Sequence, residues 1–380
     1  MSDIPSQIGR YTILERLAGG GMAQVYLGFE TGDTGLQRLV VIKQILPRHC
    51  EDESFKRMFT QEARLAANIN HPNVVEIHEL GLSDNQPFIA MEYVAGVALN
   101  LLMRHTHKRK INFPVGVAVG IIAQACAGAH AAHELRTMTG ERAGLVHRDL
   151  TPHNLIISEI GHIKVLDFGV AKASSNQEKT QTGMLKGKLP YMSPEQLWQK
   201  ELDRRSDVFT LGVVLWELLL GKRLFQRDAE VATINAVLNA TLPKIEALRT
   251  DVPETVIDAA MKALAKAPED RFSTAEDFRY SLLQACRDEK IDTSEEEIRN
   301  FVQVQLGSNL EARKAQVNAQ VEKSINNAPS PSSAESPASD PIKTPKRNSQ
   351  SGIKRGIALG FIGALVGLGI MRTVGSEDDP

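Results

Sequence analysis

The sequence predicts an α+β fold, and three observations carry that expectation. Apolar residues alternate on both sides of a glycine-rich turn near the start of the chain, and further strand-like runs follow. Between them, residues 55–69 repeat apolar side chains at helical spacing. Later, residues 111–132 and 208–220 are apolar runs with the length of buried helices.

Taken in order, Tyr11, Ile13 and Leu17 alternate before the turn, and Val25, Leu27 and Phe29 alternate after it, which predicts a hairpin. The run "RLVVIKQI" is the next strand and ends near Lys43. Phe55, Met58, Phe59, Leu65 and Ile69 then mark one face of a helix that also carries Glu62. "HPNVVEIHEL" and "PFIAMEYVAG" predict two more strands, the second leading into a glycine-containing connection.

The run at 111–132 has no charged residue and reaches the length of about 20 needed to cross a bilayer. It nevertheless holds Asn112, Gln124, Cys126 and His130 and separates two sets of chemically active residues, so a core helix is expected there. The run at 208–220 is shorter and contains Glu217, which also predicts a core helix. Residues 287–327 are charged and helix-friendly, with Phe301, Val304 and Leu306 as an apolar face, and predict a partly helical extension. Residues 328–352 are rich in serine and proline and have too few apolar side chains to offset ordering entropy, which predicts a disordered linker. Residues 353–372 are expected to form a transmembrane helix, and 373–380 a short tail. The apolar part of that span is about 24 Å long at helical rise, against about 30 Å of hydrocarbon, but Lys354, Arg355 and Arg372 can snorkel at its ends.

Composition narrows the classes of function. The 46 acidic and 44 basic residues nearly cancel, so no global field favours nucleic acid. The three cysteines are far apart, which argues for a reducing compartment and against a disulfide framework or a zinc site. The start of the chain lacks a signal-peptide pattern and is expected in the cytosol.

The chemistry gathers around "HRDLTPHNLII" and "IKVLDFGVAK". Asp149 and Asn154 lie five residues apart on a predicted loop, and Asp167 follows a strand. With the distant Lys43 and Glu62 they form a minimum set for phosphoryl transfer from a magnesium nucleotide. Asp149 can accept a hydroxyl proton, Asn154 and Asp167 can offer oxygens to Mg²⁺, and Lys43 can neutralise phosphate charge.

The ordered set of glycine-rich turn, "VVIK", "HRD" with its later asparagine, "DFG" and "SPE" resembles the eukaryotic-like serine/threonine protein kinases carried by bacteria, over residues 11–286. The resemblance implies a bilobal kinase fold, a β-rich N-lobe over a helical C-lobe with ATP between them. It implies ATP binding by Leu17, Ala18, Gly19, Gly20, Gly21, Met22, Ala23, Gln24 and Val25, by Lys43, and by Glu92 and Val94 of the hinge, with Met91 as gatekeeper. Glu62 is the implied partner of Lys43, Glu195 that of Arg271, and Asp207 the implied brace of the catalytic loop. Protein substrates are implied, the chain itself among them.

Two departures from the family pattern bear on activity. Of the three glycine positions in the turn only Gly20 keeps glycine, Ala18 and Ala23 standing at the others. Thr151 replaces the usual catalytic-loop lysine, while Lys188 replaces a threonine that in the family fold lies against that lysine. The exchange predicts that Lys188 reaches across to supply the missing charge. Arg148 beside Asp149 predicts activation by phosphate on Thr180 and Thr182. Gly356-x-x-x-Gly360 and Gly363-x-x-x-Gly367 permit close helix pairing, and the basic residues before the span predict a single-pass membrane protein with a cytoplasmic kinase domain.

Overall fold

The computed structural model describes residues 4–20, 23–32, 35–167, 187–239 and 242–326, apart from the side chain of Glu62. The predicted transmembrane helix at 353–372, the linker, and Thr180 and Thr182 lie outside the described residues, as do Gly21 and Met22.

The first lobe is an antiparallel sheet with one helix. Its strands are β1 (Gln7–Ile8), β2 (Tyr11–Gly19), β3 (Ala23–Thr31), β4 (Gln37–Ile45), β5 (Ile77–Ser83) and β6 (Gln86–Glu92), in the order β1-β2-β3-β4-β6-β5. Helix α1 (Glu53–Ala66) starts at Asp52, whose carboxylate accepts from the backbone N–H groups of Ser54 and Phe55. It ends three residues before Ile69, which is buried beyond the helix rather than on it. Because strand side chains alternate, the sheet has two apolar faces. Tyr11, Tyr26, Ile42 and Phe88 pack on one, with the Tyr11 ring edge-on to Phe88 at 6.0 Å. Ile45, Ile89 and Met91 pack with Phe55 and Phe59 of α1 on the other. Two residues before Ile45, Lys43 therefore shares the α1 face.

The second lobe is built on two nearly all-apolar helices. After β7 (Gly96–Ala98) and α2 (Leu99–Arg109) come α3 (Val115–His133), β8 (Leu155–Ser158), β9 (Ile163–Val165), α4 (Pro194–Leu197) and α5 (Arg205–Leu220). Then follow α6 (Glu230–Asn239), α7 (Glu254–Ala263), α8 (Ala275–Asp288) and α9 (Glu295–Asn326). A small sheet of order β7-β8-β9 lies beside α3. α3 is long and apolar enough to cross a membrane, but 78% of that stretch is buried against α5, α8, β9 and α9, as its internal polar residues led one to expect. It begins after Pro114, slightly later than the apolar run, because proline suits the helix entrance and not its interior. The two-lobed α+β architecture is the one expected.

The extension corrects the sequence reading in its apolar face. Its helical part is one helix of 32 residues, whose buried stripe is Ile298, Val302 and Leu306, whereas Val304 is 78% exposed. The chain entering α9 presses its backbone onto two glycines. A Cβ on Gly116 would come within 1.9 Å of the Asp292 carbonyl oxygen, and one on Gly161 within 2.0 Å of that of Glu295. Next to Gly161, His162 Nε2 donates to Glu295 at 2.7 Å, and the Phe301 ring sits 5.0 Å from Phe113. Further along, Val317 is buried, and Arg313 and Gln320 bond to Glu15 of β2. α9 thus starts on the helical lobe and ends against the sheet lobe.

Candidate active site

The turn between α3 and β8 is organised by a single buried carboxylate. Asp207, in the first turn of α5, is fully buried. Its Oδ2 accepts from His147 N at 2.8 Å and from His133 Nε2 at 2.7 Å, and its Oδ1 from Arg148 N at 2.8 Å. Burial alone would raise this carboxyl, but the bond from His133 and the amide of His147 hold it below the usual carboxylate range. These bonds keep Arg148 at φ 66, a left-handed conformation that costs a non-glycine residue about 1–3 kcal/mol. Gln196 of α4 adds a bond from Nε2 to Arg148 O at 3.0 Å.

The next residue, Asp149, is thereby aimed. It is 5% exposed, and its Oδ2 accepts from Lys188 Nζ at 2.9 Å and from Asn154 Nδ2 at 3.0 Å. Asn154 Nδ2 also donates to Asp149 O at 2.8 Å, so one amide clamps both ends of the aspartate. Lys188 reaches the loop from another segment, and within the loop Thr151 is buried at 4% exposure. The two residues whose types are exchanged relative to the family pattern therefore both belong to this site.

His147 links the loop to the strand that carries Asp167. Its Nε2 donates to Leu166 O at 2.7 Å, while its Nδ1 accepts from Asp149 N at 3.2 Å. Leu166 N donates to Asn154 O at 2.9 Å, bringing the two proposed metal ligands onto adjacent chains. Asp167 stands at φ 47, with Oδ1 3.0 Å from Lys43 Nζ. Two side-chain oxygens, from an amide and a carboxylate, suit a hard divalent cation such as Mg²⁺. The expected Lys43 to Glu62 pair lies outside the described side chains.

The side expected to take a nucleotide comprises β6 and the ends of β2 and β3. Ala18 pairs with Val25 and Gly19 with Gln24, and Gly20 N donates to Ala23 O at 3.0 Å, closing the turn. Leu17 is 42% exposed there, while Met91 of β6 is buried in the sheet lobe. At the hinge, Glu92 N donates to Glu76 O at 2.9 Å, and the Glu92 carboxylate takes Lys164 Nζ at 2.9 Å. The hinge is thus held to β9 through a side chain. Val94 packs at the edge of the α1 cluster.

Beyond the catalytic turn, Glu195 of "SPE" accepts two bonds from Arg271, at 2.7 and 2.9 Å, and one from Ser206 at 2.6 Å. Burial would raise the Glu195 carboxyl, but Arg271 and Ser206 hold it below its ordinary range. His133, Gln196 and Tyr191 were not anticipated from the sequence. His133 had a readable signal, as a polar residue at the end of an otherwise charge-free helix. The positions of Gln196 and Tyr191 follow only from the fold.

Comparisons with known proteins agree with this geometry. The protein kinase domain family matches residues 11–283. The chain is 43% identical over 274 residues to the tyrosine-protein kinase MasK of Myxococcus xanthus, covering 72% of this chain and 42% of that protein. It is 36% identical over 280 residues to the serine/threonine-protein kinase PrkC of Bacillus subtilis, covering 73% of this chain and 40% of that one. The chain thus spans about two-fifths of each of these curated relatives. Among solved structures, the kinase domain of Mycobacterium tuberculosis PknI superposes with a TM-score of 0.58 at 26% identity, over 75% of this chain and all of that one.

Proposed function

Because this chain belongs to the protein kinase domain family, we propose that it transfers the γ-phosphoryl group of ATP to serine or threonine hydroxyls of proteins, itself included. The observation that carries this reading is the convergence of Lys188 and Asn154 on one oxygen of Asp149. That arrangement fixes the carboxylate's orientation and leaves it as the base that accepts the incoming hydroxyl's proton. Asn154 and Asp167 would hold Mg²⁺, which when bound neutralises phosphate charge. Lys43, paired across the sheet with Val25 of β3, would add positive charge toward the same phosphates. Lys188 stands in for the absent lysine at Thr151 and acts mainly as charge develops during transfer.

A scaffold without catalysis finds no support, since Lys43, Asp149, Asn154 and Asp167 are all present. A second reading, transfer to tyrosine, is favoured by the likeness to MasK and by the exchange at Thr151 and Lys188, next to where the acceptor hydroxyl must lie. One assay separates the readings: labelled ATP and Mg²⁺ with the full chain, followed by identification of the phosphorylated amino acids. We expect phosphothreonine and phosphoserine, and label on Thr180 and Thr182. Asp149→Asn should lower the rate by about 10²- to 10⁴-fold. Lys188→Ala should lower kcat more than it raises KM for ATP, with partial recovery in the double variant Thr151→Lys/Lys188→Thr. Phosphotyrosine alone would select the second reading, and undiminished turnover in Asp149→Asn would remove both.

Membrane attachment through 353–372, with pairing of spans that brings two kinase domains together, belongs to the same proposal. It rests on the apolar run, its basic flank and its glycine spacing. Recovery of the full chain from the soluble fraction without detergent would count against it.

A further inference from the structure

Two basic stretches play no part in the reading above. One is "RHTHKRK", residues 104–110 at the end of α2, and the other is "KR", Lys222 and Arg223 just after α5. The fold brings them together around a cavity of about 180 Å³, with Arg104 and Lys108 on one wall and Lys222 and Arg223 on the other. His107 Nδ1 and the Gly221 carbonyl oxygen, 2.9 Å apart, join the two walls.

The one carboxylate lining the cavity is spent internally. Glu217 Oε2 accepts from Arg223 NH1 and from the Tyr191 hydroxyl, both at 2.8 Å, and Oε1 accepts from Leu224 N at 3.1 Å. With Arg223 assigned to Glu217, Arg104, Lys108 and Lys222 remain. All three are exposed, and among the described residues none has an ion pair. Three unbalanced cations are thus held on a surface whose chain overall is nearly neutral. A solvated helix end explains cations on α2 alone. It does not explain why the chain after α5 supplies more of them to the same cavity.

The cavity adjoins the reacting centre. The turn at Pro152–Asn154, inside the catalytic loop, packs on α2. Tyr191, three residues after Lys188, lies under the guanidinium of Arg223, with 5.7 Å between that group and the ring centre. Because the catalytic loop and this wall share α2, a segment that presents a hydroxyl to Asp149 can bring its flanking residues to these cations.

We propose that Arg104, Lys108 and Lys222 form an acceptor-side subsite that selects substrates with aspartate or glutamate near the phosphorylated residue. The inference rests on the kinase reading above and names the substrate class of that site. Exposed cations around a shallow cavity act mainly on encounter and binding, so the selectivity belongs in KM and weakens with salt.

The test uses the full chain and a set of peptides sharing one threonine. Their flanks carry glutamate before it, glutamate after it, glutamine on both sides, or lysine on both sides. We expect one glutamate peptide to exceed the glutamine peptide about tenfold in kcat/KM, mostly through KM, with the ratio shrinking at 0.5 M salt. The triple variant Arg104→Gln/Lys108→Gln/Lys222→Gln should bring that ratio close to one. Lys222→Glu together with Lys108→Glu should turn the preference toward the lysine peptide, a gain that damage to the fold cannot imitate. Equal use of glutamate and glutamine peptides by the wild type, or an unchanged ratio in the triple variant, overturns the subsite. Absence of phosphate on every peptide and on the chain itself overturns the kinase reading and the subsite with it.

Discussion

The catalytic turn and helix α9 are both fixed to the helical lobe, but by opposite means. The turn at 147–154 is held by polar bonds to one buried carboxylate and carries a left-handed residue at Arg148. α9 is held there by apolar side chains one helical turn apart and by backbone pressed onto Gly116 and Gly161, while farther along it carries solvent-screened ion pairs, one of them to the sheet lobe. Polar bonds to a buried charge set direction sharply and fail abruptly when one partner is lost. Apolar packing spreads its free energy over many contacts and fails by degrees.

The strongest way to break this contrast is at its polar extreme. Asp207→Asn keeps the size of the side chain but puts an amide donor where three N–H groups converge. We expect a loss of about 3–5 kcal/mol in denaturant unfolding, together with loss of activity as Arg148 and Asp149 relax. The pH dependence has a definite sign. The folded Asp207 carboxyl lies below its ordinary value, so its contribution is complete above about pH 4 and is lost as the pH falls further. A change below 1 kcal/mol in Asp207→Asn would mean that packing, not this carboxylate, holds the turn.

A smaller effect is expected at the apolar extreme. Ile298 is fully buried between α9 and α3, close to where Gly120 would place a Cβ 3.1 Å from its Cδ1. Ile298→Ala should cost about 2–5 kcal/mol, toward the lower end if the surrounding helix relaxes into the space. Activity at temperatures where the variant stays folded should be unaltered, because no catalytic side chain rests on Ile298. A fall in kcat at full folding would show that α9 supports the reacting geometry itself.

The same contrast explains what could be read in the sequence. Asp149, Asn154, Asp167 and Lys43 were legible because chemistry restricts residue type and order at such positions, and the exchange of Thr151 with Lys188 was visible for the same reason. Lys188 on Asp149 follows from chemical complementarity as well as fold. α9 was only half legible. Its buried stripe is sparse, and the charged residues around it resemble those of a solvated segment, so Val304 looked as apolar as Ile298. Two signals were present without being decisive. Ser294 with Glu297 has the spacing of a helix start, and Glu297 N does donate to the Ser294 hydroxyl at 3.3 Å. Gly116 and Gly120, set among the valines that open α3, marked a close approach, but nothing local could say which segment approaches. The subsite at Arg104 and Lys222 was not legible, since its walls are over a hundred residues apart in the chain and meet only through tertiary packing.

The smallest effect belongs where α9 leaves its apolar stripe and reaches the sheet lobe. Arg313 and Gln320 bond to Glu15, and Lys314 reaches Glu159 at 3.2 Å. The bond from Arg313 holds the Glu15 carboxyl below its ordinary range, so this contribution is present above about pH 4.3 and declines as the pH falls below it. Both partners keep substantial exposure, 33% for Arg313 and 21% for Glu15, so solvent screens most of the attraction. Arg313→Ala should therefore cost no more than about 1 kcal/mol in global unfolding. Its effect should be local, as faster hydrogen exchange in β2 around Glu15, next to the strand end that leads into the glycine-rich turn. High salt should bring the wild type toward the variant. A loss above about 2 kcal/mol, or exchange in β2 that does not change, would mean that Val317 and its neighbours carry the junction and that the ion pair only decorates it.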